Sequence, residues 1–465
     1  MKIILHGAGG GEVTGSAYLV QTRSANVLVD CGMFQGKKKL ENYYRLPRKE
    51  GIKNLDAVIL THAHLDHTGC LPLLTRMDYR GPIYATPATI EFSDLLLRDA
   101  AHLQAGDVKW ENKKRQREGK PRLEPLFSLE EVDELSPLYR PLAYDSPTEI
   151  APGIVVRAVE AGHIAGSVSI EMCLAENGIR RVVVFSGDLG PRGAPLHKDP
   201  VPFKHADLVF MESTYGSHDH PSLQKTALEA REVIRTTVEA KGKILVPVFA
   251  VGRAQLLLYL LAGAFERKTL PPFPIYLDSP MAIEATQIYG RHAEIFDEEA
   301  LAMRQSGDLR KGLETVKFSA TGEDSQKLND LEGPLMIMAG SGMCTGGRIL
   351  HHFRHNLGNP ENTVIIVGYQ SPGSLGRKLV DGAQSVYIFG EKTPVRATVH
   401  TLGGLSGHAG QTDLLNWFDS LSSSRPRVIL THGEDNARQI LGSLIQQRYQ
   451  LEAEYPGIGA VIDLD

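Results

Sequence analysis

Six consecutive positions, His62-Ala63-His64-Leu65-Asp66-His67, hold four side chains able to bind a metal ion. Imidazole and carboxylate are the groups that ligate Zn²⁺ at neutral pH. The run follows Leu55–Thr61, an apolar stretch of β type, so a buried strand would deliver His62 and His64 to its end. Asp66 and His67 would begin the turn that follows. Two ligand pairs this close suggest two ions rather than one. A pair of ions ~3.5–4 Å apart is the usual clamp for hydrolysing phosphate esters and related bonds. The plain alternative is a histidine-rich surface loop with no metal, and the remaining ligands of such a site, which can also be found, argue against it.

A dinuclear site needs about three protein ligands per ion plus a bridging group and solvent. One ion could take His62, His64 and His163, the other Asp66, His67 and His432, with Asp188 bridging them. A water shared by the two ions would be acidified toward hydroxide and become the nucleophile. Asp66, beside that water, could orient it or relay its proton. In isolation His163 reads as a loop histidine and Asp188 as a turn carboxylate capping a helix. Their order and their places after strand-like runs make the set. Asp30, in Val29-Asp30-Cys31-Gly32, reads as a hydrogen-bonding support for the ligand loop, since ligand histidines usually donate their second N–H to such a partner.

The elements that must position these groups follow a common pattern. Val27–Val29, Ala57–Leu60, Ile154–Val156, Val182–Phe185, Leu208–Met211 and Val428–Leu430 are apolar runs, each leading to a polar residue that could serve chemistry. Scaffolds of buried strands carry functional groups on loops at strand ends. One site along the edge of a sheet, or of two packed sheets, is the expectation. From about 215 to 395 the rhythm changes. Strands are expected at 243–249, 275–277, 335–338 and 363–367, and helices at 252–261, 281–289 and 349–357, which argues a parallel α/β sheet. Residues 290–330 read as mostly helical and polar, and 104–125 as a flexible excursion. Because His432 lies beyond the α/β region, that region reads as an insertion. The expected division is 1–208 and 396–465 for the ligand-bearing domain and 209–395 for the inserted one.

A chain of 465 residues suggests two domains, and 42% hydrophobic with 23% charged residues fits a soluble globular protein. No apolar run reaches the ~18–20 residues needed to span a membrane. Met1–His6 turns polar and glycine-rich at once and reads as a first strand, not a signal peptide. Cys31, Cys70, Cys173 and Cys344 are scattered, which gives no thiolate zinc site or disulfide framework and makes a reducing cytoplasm the expected location. A net charge of −5 lends no bulk support to nucleic-acid binding. Two local basic clusters stand out: Lys37–Lys39, and Lys109–Arg122, the latter diluted by Glu111 and Glu118. Each by itself reads as a solvated surface.

Taken together, Asp30, His62-x-His64-x-Asp66-His67, His163 and Asp188 resemble the metallo-β-lactamase fold. Glu212 in Met211–Gly216, His408 in Leu405–Gly410 and His432 in Leu430–Glu434 match the three motifs of its β-CASP subfamily. The resemblance covers essentially the whole chain. It implies an αββα sandwich with an inserted β-CASP α/β domain built on a parallel sheet, two Zn²⁺ per chain and nuclease activity. The family includes the cleavage subunit of the polyadenylation machinery, RNase J and archaeal relatives. Histidine rather than valine at the third motif is the form of the RNA-processing branch. With no extra N-terminal RNA-binding module and little chain after His432, the sequence looks like a compact bacterial-type member.

The resemblance also implies a mechanism. His408 would be the general acid for the departing 3′ oxygen, oriented and kept cationic by Glu212, giving a 5′-phosphate and a 3′-hydroxyl. The inserted domain should hold single-stranded RNA. Glycine-rich turns at Gly340–Arg348, Gly252-Arg253 and Gly373–Lys378 would let backbone amides approach phosphates. Arg253, Arg348 and Arg377 are candidate phosphate contacts, with Ser341, Gly342 and Ser406 as further contacts; tight strand–helix packing is the plain alternative for such turns. His400 has no assignable role. Endonucleolytic and 5′→3′ exonucleolytic action, and a homo-oligomer or an RNA-processing complex, are left open. Mn²⁺ or Fe²⁺ could replace Zn²⁺ at ligands this rich in imidazole. The competing readings are a hydrolase of small-molecule or lipid esters on the same fold and a non-catalytic RNA-binding scaffold.

Overall fold

The computed structural model describes residues 1–34, 53–368, 370 and 373–464; Lys37–Lys39 lie outside them. The chain divides into two units, one formed by 1–192, 199–219 and 408–465, the other by 193–198 and 220–407.

The first unit contains two seven-stranded sheets. One runs in the order Val461–Asp463, Lys2–Leu5, Tyr18–Gln21, Asn26–Val29, Ala57–Ile59, Ile83–Ala85, Tyr139–Pro141. The other runs Ala453–Glu454, Arg427–Thr431, Leu208–Glu212, Ile179–Phe185, Val168–Glu176, Ile154–Glu160, Thr148–Ala151. Side chains alternate across each strand, and both faces of both sheets are put to use. Val27 and Val29 meet Ile154, Val156, Ile170, Phe185 and Phe210 in a core between the sheets. Leu28, Val58 and Leu60 face the other way, onto Leu71, Leu74 and Leu97 of helices. Val209, Met211, Val428 and Leu430 pack on Leu414, Phe418, Leu441 and Ile445. The layers are therefore helix, sheet, sheet, helix, each sheet burying one face on its partner and one on helices.

The second unit is built on a six-stranded sheet ordered Val316–Phe318, Ile275–Asp278, Leu335–Ala339, Lys243–Pro247, Thr363–Ile366, Thr398–Thr401. Every pairing in it is parallel. Ile244 and Val246 pack with Leu257, Leu258 and Leu261 on one face, and Leu245 with Ile349 and Phe353 on the other. Burial on both faces is what near-continuous apolar strands require.

Three expectations change. The division moves: 208/209 cuts the strand Leu208–Glu212, and 395/396 leaves out Thr398–Thr401, although the second unit runs to 407. Leu208–Glu212 pairs in register with Arg427–Thr431 and stays with the first unit, while Thr398–Thr401 pairs with Thr363–Ile366 in the second. The polar stretch 290–330 contains a strand, Val316–Phe318, besides its helices. Residues 104–125 are not a loose excursion. They belong to a 31-residue helix, Pro87–Arg117, capped by the Thr86 side chain, and to a segment that returns along it. Asn112 bonds both the N–H and the C=O of Leu123, and Gln104 accepts from the Leu126 amide.

Candidate metal centre

Every ligand candidate lies just beyond a strand of the first unit. His62, His64, Asp66 and His67 follow Ala57–Ile59, the last two within a short helix at Leu65–Thr68. His163 follows Ile154–Glu160, Asp188 follows Ile179–Phe185, and His432 follows Arg427–Thr431. Glu212 ends its strand opposite Thr431, one residue before His432. The strands flanking the insertion thus place two widely separated motifs side by side. Gly32 lets the ligand loop close on its neighbour, since a Cβ there would lie 1.6 Å from the Asp66 carbonyl oxygen.

Among the described residues the side chains gather into three groups, the first and third sharing Asp188, with the ligating atoms of each within 4.8 Å of one another: His62, His64, His163 and Asp188; Asp66, His67 and His432; and Asp188, Glu212 and His408. In the first, His62 Nε2 and His163 Nε2 stand 3.2 and 3.1 Å from His64 Nδ1. Asp188 Oδ2 is 3.5 Å from His62 Nε2 and 3.6 Å from His163 Nε2. In the second, His67 Nε2 is 3.3 Å from His432 Nε2, and Asp66 Oδ2 is 3.5 Å from the same His432 atom. Asp188 Oδ1 lies 3.4 Å from His67 Nε2 and 3.5 Å from His432 Nδ1. The two oxygens of Asp188 therefore face different triads.

This donor set fits divalent ions. Nitrogens about 2.0–2.1 Å from a tetrahedral Zn²⁺ would be roughly 3.3 Å from each other, close to the spacings here. Asp188 Oδ1 is buried without a hydrogen-bond partner, which is costly for a carboxylate oxygen unless a cation faces it. Burial, with repulsion from His67, holds His62 well below the ordinary histidine pKa, and burial takes His64 to about 4. Both imidazoles are then neutral, with lone pairs to give. Burial opposes protonation of His67, but Asp188 and Asp30 outweigh it and raise its pKa; burial likewise opposes that of His432, where Asp188 and Asp66 prevail. Burial would raise Asp188, yet His432 and His67 hold it well below the usual carboxylate range.

Outer partners fix the ring orientations. Asp30 Oδ2 is 2.7 Å from His67 Nδ1 and accepts from Thr61 Oγ1 at 2.9 Å, while its Oδ1 accepts from the Thr61 amide at 2.8 Å. His67 therefore turns Nε2 toward His432 and Asp188, and Asp30 braces the ring from behind. Thr61 Oγ1 also lies 3.1 Å from His62 Nδ1, and Thr214 Oγ1 lies 3.2 Å from His432 Nδ1. Neither threonine stands out in the sequence as a ring support; the signal is proximity, Thr61 next to His62 and Thr214 two residues after Glu212. Asp30 and His432 take left-handed φ values of 58° and 49°, a cost of about 1–3 kcal/mol each that the surrounding bonds must offset.

His408 Nδ1 sits 3.2 Å from Glu212 Oε1 and 4.0 Å from Asp188 Oδ2. Burial disfavours its charged form; Glu212 overrides burial and raises the pKa. Glu212 is anchored in turn by the Leu189 amide at 2.6 Å and the Thr214 amide at 3.2 Å.

The six candidate RNA contacts all lie in the second unit, beyond the carboxyl ends of its parallel strands. Arg253 opens the helix Arg253–Glu266 and donates to the Leu405 carbonyl, next to Ser406. Ser341 accepts from the Thr345 amide at 3.1 Å, and Gly342 packs under the Phe249 ring. Arg377 pairs with Asp381 one turn on. Arg348 requires a correction: its guanidinium turns inward to Asp278 at 2.8 Å and to the carbonyls of Ser319 and Ala320, so a buried carboxylate rather than a ligand holds it. His400 sits in the strand Thr398–Thr401 opposite Ile365 and joins no ligand group among the described residues.

Comparison with known proteins agrees with this architecture. The metallo-β-lactamase superfamily model matches residues 10–235, the Beta-Casp domain model 254–379, and the model of a Zn-dependent metallo-hydrolase RNA specificity domain 392–456. Fold and site define a metal-dependent hydrolase of the metallo-β-lactamase class, and the chain belongs to the β-CASP branch of that superfamily. A ribonuclease of Thermus thermophilus is 42% identical over 453 residues, covering 97% of each chain. The transcription termination factor FttA of Methanosarcina mazei is 31% identical, covering 95% of this chain and 68% of its own. The FttA of Pyrococcus abyssi is 32% identical, with 98% and 70% covered. A crystal structure of a protein of unknown function from Enterococcus faecalis shares the fold, with a TM-score of 0.58 at 16% identity over 99% of both chains. Among the described residues no helix is long and apolar enough to cross a membrane.

Proposed function

We propose that the protein is a ribonuclease hydrolysing phosphodiester bonds of single-stranded RNA at a two-zinc centre. The observation that carries this reading is Asp188, whose two oxygens face two separate ligand triads while His408 stands 4.0 Å away. The ribonuclease named among the relatives and the match to an RNA specificity domain favour RNA as the substrate.

Two bound divalent ions would supply an acidified water and positive charge for the phosphate oxygens. The protein's own groups do the rest. His62, His64 and His163 would hold one ion, Asp66, His67 and His432 the other, and Asp188 would join them. Asp66 would orient the attacking water or take up its proton. His408, with Nδ1 tied to Glu212, would present Nε2 to the departing 3′ oxygen and donate its proton there, leaving a 5′-phosphate and a 3′-hydroxyl. In the second unit, Arg253, Ser341, Gly342, Arg377 and Ser406 are the proposed strand contacts, at the sheet edge where α/β folds commonly bind ligands. Arg348 instead braces the turn that carries Ser341 and Gly342.

The test is cleavage of end-labelled RNA bearing a 5′-phosphate or a 5′-triphosphate by Zn²⁺-loaded protein, with the ends of the products mapped. Cleavage is expected from the wild type and not from His67→Ala or His408→Ala. Equal cleavage by all three would overturn the assignment. The product ladder separates endonucleolytic from 5′→3′ exonucleolytic action.

A further inference from the structure

The helix Pro87–Arg117 carries a surface that the metal centre does not use. Its second half turns Gln104, Asn112 and Arg115 toward the chain that returns along it, through the bonds to Leu126, Leu123 and Pro121. The opposite side presents Leu103 at 62% exposure and Trp110 at 69%, seven residues apart and so on one face. Lys109 adjoins Trp110, and Lys113, Lys114 and Arg117 follow it at helical spacings of three, four and seven, all exposed. Residues 103–122 hold seven basic and three acidic side chains in a chain whose net charge is −5. Asp107 and Glu111 also flank the indole, so most of the cations gather on its C-terminal side; an indole this exposed beside them is poor design for a surface in contact only with water.

We propose that this face is an accessory binding site for single-stranded RNA, with a base stacked on Trp110 and phosphates met by Lys109, Lys113, Lys114 and Arg117. The proposal rests on RNA being the substrate. Charge decides the occupant: a polyanion with exposed aromatic faces complements an indole followed by a cationic stripe, and aromatic stacking with a positive track is how single strands are held without sequence preference. The helix also ties the face to the metal centre. At its start Thr86 and Thr89 both donate to the Gly166 carbonyl at 2.8 Å, in the loop that carries His163. About 21 helical residues separate Thr89 from Trp110, some 32 Å at 1.5 Å per residue. A strand stacked at about 3.4 Å per nucleotide needs roughly nine nucleotides to cover that distance. Substrates longer than this would gain from both sites at once.

Trp417 is buried, so Trp110 is the exposed tryptophan, and its emission reports on the face directly. The experiment titrates full-length, Zn²⁺-loaded His408→Ala protein with oligouridylates of 5 and 20 nucleotides, following Trp110 emission and its quenching by acrylamide. The 20-mer is expected to change the emission and shield the indole. Trp110→Ala should weaken 20-mer binding about tenfold, the scale of one lost stacking contact, and leave 5-mer binding within twofold. Lys113→Ala with Lys114→Ala should lower the slope of log affinity against log salt by about 1.4. Unchanged emission and shielding at saturating 20-mer, or Trp110→Ala binding the 20-mer as its parent does, would overturn the proposal. So would quenching by phosphatidylglycerol vesicles and not by RNA. Wild-type protein that binds RNA at Trp110 but never cleaves it would sink the ribonuclease reading alone; intact cleavage without any Trp110 response would sink this one alone.

Discussion

Glu212 Oε1 and His408 Nδ1 meet at 3.2 Å although they stand 196 positions apart in the chain. The same carboxylate also accepts the amide of Leu189, the residue after Asp188. Glu212 therefore serves two structures at once, the proposed proton donor and the loop of the proposed shared ligand. His408→Ala should lower kcat by about 10²–10⁴ with metal content unchanged. Glu212→Ala should lower kcat and also loosen metal retention. Parallel kinetics and elemental analysis of the two variants check this split; equal metal loss in both would count against it.

Asp30 meets the His67 ring at 2.7 Å from a buried position. Its removal should leave the fold in place and let the His67 ring turn. Outer partners of this kind typically contribute 10–100-fold in metal affinity, so Asp30→Ala should show a loss in that range by chelator competition. Asp30→Asn, which can still accept from Thr61, should lose less.

In the second unit, Asp278 receives His352 Nε2 at 2.7 Å, Ser325 Oγ at 2.6 Å and Arg348 Nη1 at 2.8 Å. Burial opposes its ionisation, but these hydrogen bonds prevail and hold its pKa below the ordinary value. A carboxyl lowered in the folded state binds fewer protons than in the unfolded chain. Its contribution is complete above the unfolded value near 3.9 and is lost as pH falls through the folded value. Denaturant midpoints measured from pH 6 down to pH 3 should therefore fall more steeply for the wild type than for Asp278→Asn. At neutral pH Asp278→Ala should cost about 3–5 kcal/mol, as expected when one partner of a buried charged network is removed.

Strand ends were legible because apolar runs of β type stop at the residues that matter: Val29 before Asp30, Leu60 before Thr61 and His62, Leu430 before Thr431 and His432. Local pattern does not say which strands share a sheet. That Glu212 would sit opposite Thr431 depends on a parallel pairing across the insertion, a relationship of topology. The partner of Arg348 is hidden for the same kind of reason. Its glycine-rich approach resembles a phosphate loop, while the acceptor that claims it, Asp278, lies 70 residues earlier. The charged stretch after residue 103 looked loose because its composition is polar. The side-chain bonds that fasten the returning segment to the helix, such as Asn112 to Leu123, are tertiary and leave no periodicity to read.

The shared carboxylate is the centre of the account, and Asp188→Ala tests it most directly. Elemental analysis after Zn²⁺ loading, combined with cleavage of a labelled single-stranded RNA, is the measurement. The account predicts about two Zn²⁺ per wild-type chain, together with cleavage that leaves 5′-phosphate ends, and for the folded variant loss of bound metal and of cleavage. A wild type that takes up metal and leaves RNA intact, or an Asp188→Ala protein that retains both ions and full activity, would contradict it.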